Sequence, residues 1–200
     1  MFAVIFEVQP HPEKWDDYLG HAAALRPELL QIDGFLDNER FASRSRPGWL
    51  VSLSLWRNEK ALIRWRTHAG HHLVQGQGRS TVFADYRLRV GEVAADTAAE
   101  GMLAQQRLDE TEVSTAHAIS LTEPPAAPPP AAAEALEADT FESITRPGAF
   151  LLLQAWPDTA LASGGTAGLT GRTRIVRVIR DYGRFRRTEA PQYFPTVPPA

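Results

Sequence analysis

The chain contains no cysteine. Disulfides, thiolate nucleophiles and cysteine-ligated metals are excluded, and a cytoplasmic setting is expected. Nor is there a surplus of positive charge. Lys and Arg number 21 against 24 Asp and Glu, a formal net charge of −3. A balance of that sign exerts no general pull toward nucleic acid or an anionic membrane, so neither is expected as a partner. The N-terminal stretch MFAVIFEVQP has no basic lead, and its apolar run is too short for a signal peptide or a bilayer span. It reads as a first strand. The G-x-G-x-x-G and Walker A phosphate loops, the G-x-S-x-G elbow and the H-E-x-x-H zinc helix are all missing.

What is present is a repeat. Phe41 to Trp56 reads FASRSRPGWLVSLSLW, and Phe141 to Trp156 reads FESITRPGAFLLLQAW, identical at seven of sixteen positions. Self-similarity at a long fixed spacing signals a duplicated structural unit. Within each copy, Arg46-Pro47-Gly48-Trp49 and Arg146-Pro147-Gly148-Ala149 suit a type II turn. Pro presets φ at the second position and Gly takes φ > 0 at the third. Strand-like residues flank both turns, so each copy reads as a β-hairpin. A second echo sets Phe83-Ala84-Asp85-Tyr86 against Val178-Ile179-Arg180-Asp181-Tyr182. A hydrophobic content of 44% is normal for a globular chain.

In chain order, Phe2 to Val8 is a strand apolar on nearly both faces. A helix starts near Pro12 and carries Trp15, Tyr18, Leu19, Ala22 and Ala23 at helical spacing, with a kink expected near residues 23–27 ahead of Pro27. Asp33-Gly34 stops it. A polar strand over 35–43 fits a sheet edge or an interface. The next strand, Trp49 to Trp56, puts Val51, Leu53 and Leu55 on one face and Leu50, Ser52, Ser54 and Trp56 on the other. Asn58 is the N-cap of a second helix, with Ala61, Leu62 and Trp65 on its apolar face. A strand from Val82 to Val93 completes β-α-β-β-α-β, the ferredoxin-like unit. The second half is worn down. Strands are expected over 115–121, 140–156 and 172–185, a short helix over 131–138, and a turn or open loop over Pro157 to Gly171, which holds four glycines. The expected partition is a ferredoxin-like unit over 1–93, a connecting helix over 94–112, a degenerate second unit over 113–187 and an extended proline-rich tail over 188–200.

Residues 1–93 resemble the antibiotic biosynthesis monooxygenase family. The carriers are VIFEV, LRPELLQIDGF, ERFASRSRPGWLVSLSLWRNEKALIRWRTHAGHH and FADYRLRV, and the tail RVIRDYGRFRRTEAPQ is similar to the C-terminal end of such proteins. The resemblance implies an α+β barrel of two ferredoxin-like units packed sheet to sheet. The duplication suggests that one chain supplies both units, since a sheet's free face must be covered. A homodimer is the other way to close it. The family includes cofactor-free oxygenases of quinone precursors and haem-degrading enzymes. In the latter, a Trp equivalent to Trp65 shapes the pocket, a downstream His ligates iron, and an assisting Asn falls on or near Glu7.

Candidate chemistry centres on Trp65, His68, His71 and His72. On one helix, residues 65, 68 and 72 would share a face. The divalent-metal reading of His68 and His72 lacks the further ligands zinc requires. Trp56 and Trp65 are either packing or the walls of an apolar pocket. Ser52 and Ser54 could hydrogen-bond a ligand. Tyr86 with Arg87 or Arg89 could hold a phenolate or enolate, the anion from which a cofactor-free oxygenase passes electrons to O₂. The expected catalytic set is thus Trp65, His71, His72 and Tyr86, and the expected binding set is Ser52, Ser54, Trp56, Arg87 and Glu7. A small apolar or aromatic molecule is the expected ligand, with no bound cofactor or, alternatively, haem.

Overall fold

A computed structural model describes residues 1–101 and 103–191 of the chain. Its elements are β1 (Phe2–Pro10), α1 (Trp15–Leu30, after a 3-10 turn over Pro12–Lys14), β2 (Phe35–Ser43), β3 (Leu50–Trp56), α2 (Glu59–Thr67), α3 (Ala69–Gln77) and β4 (Phe83–Asp96). The second half adds β5 (Ala118–Glu123), β6 (Glu137–Ser143), β7 (Phe150–Trp156), α4 (Thr159–Gly165) and β8 (Arg172–Gly183). The eight strands close into one barrel in the order β1-β3-β2-β6-β7-β5-β8-β4, every neighbouring pair antiparallel. The duplicated ferredoxin-like α+β architecture is therefore completed within one chain. No second copy is needed to close the sheet. No helix among the described residues is long and apolar enough to cross a membrane.

Both hairpin turns form as their chemistry requires. Trp49 N–H donates to Arg46 C=O at 3.1 Å with Gly48 at φ 79°, and Ala149 N–H donates to Arg146 C=O at 3.0 Å with Gly148 at φ 81°. The polar strand β2 is an interface strand, paired with β6 around Ala42 and Glu142. Contacts across that seam are reciprocal under a shift of one hundred positions. Arg46 Nε donates to Asp139 at 2.8 Å and Arg146 Nε to Glu39 at 3.0 Å. Ser43 Oγ donates to Asp139 at 2.8 Å and Ser143 Oγ to Glu39 at 2.8 Å. Arg44 N–H donates to Thr140 C=O at 2.8 Å and Ile144 N–H to Arg40 C=O at 2.9 Å. This is the self-complementary pattern of a two-fold dimer interface, here joined in one polypeptide.

The barrel interior holds Ile5, Val51, Leu53, Leu121, Leu151 and Val176, among others. Side chains alternate across each strand, so Glu7 and Arg89 face inward with Ile5. Arg89 is 1% exposed and bonds Glu7, which also accepts from Arg46 at 2.6 Å. Arg87 binds Asp181 at 2.6 Å and Glu137 at 2.7 Å. Burial alone would raise these two carboxyls, but hydrogen bonds from Arg87 overcome it and hold both below the usual carboxylate range.

Four expectations are corrected. No helix forms among the described residues of 94–112. β4 runs on to Asp96, and the backbone beyond is captured by side chains: Glu92 accepts from Gln106 N–H at 2.6 Å, and Arg177 donates to Asp109 C=O at 2.7 Å. Residues 131–138 form no helix either, because Ala132 N–H bonds Gln154 Oε1 at 2.7 Å and Leu136 N–H bonds Ala155 C=O at 2.9 Å. The stretch from Pro157 keeps a helix, α4, because Asp158 caps Leu161 N–H at 2.8 Å just as Asn58 caps Ala61 N–H at 3.0 Å. The second helix of the first half is broken at His68, whose ψ of 131° is extended. Residues 65, 68 and 72 therefore do not share one helical face. Most of the expected tail, residues 192–200, lies outside the described residues.

Candidate active site

Helices α1, α2 and α3 cover the outer face of the first half's strands and leave a cavity of about 220 Å³ between them. Strand alternation decides its floor. Val4 and Phe6 of β1, Ser52, Ser54 and Trp56 of β3, and Tyr86 and Leu88 of β4 point outward to it. Leu25 and Leu29 of α1, Leu62 and Trp65 of α2 and His71 of α3 close it from above.

The break at His68 folds α3 back so that the His71 ring lies on Trp65, centroids 4.4 Å apart and planes 13° from parallel. His71 Nδ1 is 2.9 Å from Trp65 C=O. A carbonyl only accepts, so Nδ1 carries the proton and Nε2 keeps the lone pair. Burial lowers His71 to about 4, the Trp65 carbonyl opposing that shift and His68 and His72 adding to it. The imidazole is neutral at pH 7. His68 Nδ1 faces Glu28 at 3.3 Å. His72 is exposed and is not part of the lining.

Trp56 is fully buried and its Nε1–H donates to Ser54 Oγ at 3.0 Å. Ser52 Oγ accepts from Asn38 Nδ2 at 3.1 Å. Tyr86 packs on Phe6 and Phe83 with centroids 5.6 and 6.0 Å away. Gly78 makes room for that cluster, since a Cβ there would sit 2.5 Å from the Phe83 ring. Tyr86 Oη accepts from Arg187 Nη1 at 2.7 Å.

Of the expected residues, the cavity gathers Trp65, His71, Tyr86, Trp56, Ser52 and Ser54. Glu7 and Arg87 are not there. Their positions on β1 and β4 face the barrel interior, where both are bound in ion pairs. The cavity also takes residues that sequence reasoning missed. Asn38 and Arg40 come from β2, and Arg79 from the turn after α3. Arg180 and Tyr182 come from β8, and Arg187 from the segment beyond it. Burial, then Tyr86, pushes Tyr182 up to about 12, so its hydroxyl stays protonated. One available signal was the packing of four arginines into positions 180–187 of an acidic chain.

In the second half, side chains pack closely around the equivalent Trp156. That ring is 1% exposed, its Nε1–H donates to Ser120 Oγ at 2.9 Å, and Ala118, Ala162 and Ile175 pack against it. A Cβ on Gly165 would lie 2.1 Å from it.

The antibiotic biosynthesis monooxygenase family model matches residues 1–77. A protein of Pyricularia oryzae named jasmonate monooxygenase ABM is 42% identical, over 98% of this chain and 99% of its own length. Among solved structures, Rv0793 of Mycobacterium tuberculosis is 20% identical, covering 49% of this chain and 98% of its own, with a TM-score of 0.44. A conserved protein of Methanosarcina mazei Go1 is 18% identical, covering 44% of this chain and 88% of its own, with a TM-score of 0.41.

Proposed function

The chain belongs to the antibiotic biosynthesis monooxygenase family, and from that premise we propose that it oxygenates a small, largely apolar organic molecule in the first-half cavity, using electrons from the substrate. The observation that carries this reading is the neutral His71 held flat on Trp65 at the wall of a largely apolar cavity. Conversion of a CH₂ to C=O by one O₂, with release of one water, balances without an external reductant. The protein's task is then to bind the molecule, accept a hydrogen bond from its acidic proton and stabilise the anion. An imidazole near 4 is a weak base, so His71 suits a hydrogen-bond acceptor at Nε2. The lowering of the substrate's own pKa falls to the nearby guanidinium groups. Ser52 and Tyr182 are placed to orient polar groups of the substrate.

A cavity of about 220 Å³, below the ~300–1,000 Å³ typical of pockets for drug-sized ligands, favours a small substrate over haem. Among the described residues no group of three or more His, Asp or Glu could hold a metal ion.

Oxygen uptake tests the reading on a panel of jasmonate and small quinols, the first taken from the named relative. A rate carried by neutral His71 stays flat from pH 7 to about 5 and falls with a midpoint near 4. The sign follows from the depressed value: His71 loses its lone pair only below that midpoint. Loss of the rate near 6.5 would point to another group. Between 6.5 and about 4 an unfolded chain binds this proton and the folded one does not, so His71 makes stability decline as pH falls through that window.

A further inference from the structure

Beyond β8 the chain stays on the barrel. Gly183 N–H donates to Arg186 C=O at 2.7 Å, and Arg184 N–H donates to Tyr86 C=O at 3.1 Å. A Cβ on Gly183 would sit 2.8 Å from that Tyr86 carbonyl oxygen, so the close approach requires glycine. The buried Arg184 side chain donates to Arg79 C=O at 2.6 Å. Glu189 accepts from Asp181 N–H at 2.6 Å and from Thr111 Oγ1 at 2.8 Å. Residues 183–189 therefore form a strap, supplied by the second repeat and pinned at both ends, at the edge of the first-half cavity that Arg187 lines.

On this strap Arg187 lies between two tyrosines. Its guanidinium carbon is 5.7 Å from the centre of the Tyr182 ring. Its Nη1 donates to Tyr86 Oη at 2.7 Å and to Gly183 C=O at 3.3 Å. A guanidinium only donates, whereas a hydroxyl has one proton and two lone pairs. The Tyr86 oxygen is thus the acceptor, and its own O–H proton has no acceptor among the described residues. Tyr86 is 6% exposed and lines the cavity.

A buried O–H left unused is costly, so the cavity's occupant is the natural acceptor. A hydroxyl that accepts from a cation is also the stronger donor in turn. We infer that Tyr86 donates its O–H to the substrate oxygen on which negative charge develops, and that Arg187 is the positioning residue that turns this proton toward the cavity and strengthens it. This rests on the reading of the cavity as the substrate site. Tyr86 keeps its proton throughout and acts by stabilising the charge as it gathers. The sequence offered Arg87 or Arg89 as its partner, but strand alternation sends both into the barrel. Arg187, 101 positions from Tyr86, takes their place. The second repeat, closed around its own Trp156, thus supplies the group that orients a donor in the first.

The test titrates the full chain with 4-nitrophenol, a phenol that ionises near neutral pH and whose anion absorbs visible light. Its oxygen stands in for the developing oxyanion, and no turnover is needed. In wild type the bound probe is expected to ionise about one pH unit lower than in Tyr86→Phe, the tenfold preference for the anion that one hydrogen bond confers. Arg187→Met should lose part of that difference and Arg187→Lys should recover it. In the Tyr86→Phe background Arg187→Met should change nothing further, because Arg187 acts through Tyr86. Equal midpoints in wild type and Tyr86→Phe, full additivity of the two substitutions, or failure of wild type to bind the probe would overturn the inference. The conservative Tyr86→Phe comparison decides even if an Arg187 variant folds poorly. Oxygen uptake is read separately, with kcat expected to fall about tenfold in Tyr86→Phe and KM to change little. Uptake that Tyr86→Phe leaves at the wild-type rate sinks the donor and spares the oxygenase. A Tyr86-dependent midpoint without uptake of O₂ from any of the panel does the reverse.

Discussion

Glu7→Ala is expected to lower the unfolding free energy by about 3–5 kcal/mol, the usual cost of removing one partner from a buried ion pair. Glu7 is 5% exposed and lies between Arg89, 1% exposed, and Arg46. Without it Arg89 keeps a full charge inside the barrel. Its Nη1 is 3.6 Å from the half-exposed Glu137, and its Nε and Nη1 have no hydrogen-bond partner among the described residues. The loss reaches further than one pair. Arg46 also binds Asp139 of the second half, so the chain of contacts joins β1 and β4 to the seam between the repeats. For a chain of this length the change corresponds to a fall in Tm on the order of 10 °C, read by calorimetry. The double variant Glu7→Leu, Arg89→Leu should recover most of that, because an apolar pair leaves no orphaned charge. A Glu7→Ala melt within a degree of wild type would show that the network does not hold the barrel.

His71→Phe is expected to reduce kcat by about tenfold, the worth of one hydrogen bond made in the transition state. Phenylalanine keeps a flat ring against Trp65, where His71 now lies 4.4 Å away. What it removes is the lone pair at Nε2 and the Nδ1–H bond to the Trp65 carbonyl. Ligand affinity should therefore change little while turnover falls, a split between KM and kcat that a packing role would not give. His72→Ala is the internal comparison. His72 is exposed and outside the lining, so its replacement should leave kcat within about twofold of wild type. Equal losses in the two variants would mean that helix α3 as a whole matters and the His71 ring does not.

Much of the fold was legible in the chain because its signals are local. Pro47-Gly48 and Pro147-Gly148 dictate their turns in any context, and Asn58 caps its helix by its own side chain. Asp158 caps α4 in the same way, but four nearby glycines outweighed it in a sequence reading. Residues 94–112 have helix-forming composition. The backbone near Gln106 and Asp109 is instead held by Glu92 and Arg177, contacts that no local pattern discloses. The site was half legible. Alternation on β3 separated Ser52, Ser54 and Trp56 from the barrel face. On β1 it could not, since Val4 and Phe6 are as apolar as Ala3 and Ile5, and Glu7 was assigned to the wrong side. Arg180 and Arg187 were missed because the cavity is assembled across the two repeats, while the candidates were sought within one.

Oxygen uptake across the substrate panel, compared between wild type and Ala22→Trp, tests the central claim most directly. Ala22 lines the cavity from α1, so an indole there fills the space while leaving His71, Trp65 and the arginines in place. The account predicts uptake of one O₂ per substrate oxidised by wild type and none above background by a folded Ala22→Trp protein. Uptake at the wild-type rate in that variant would contradict it, as would the absence of uptake in wild type.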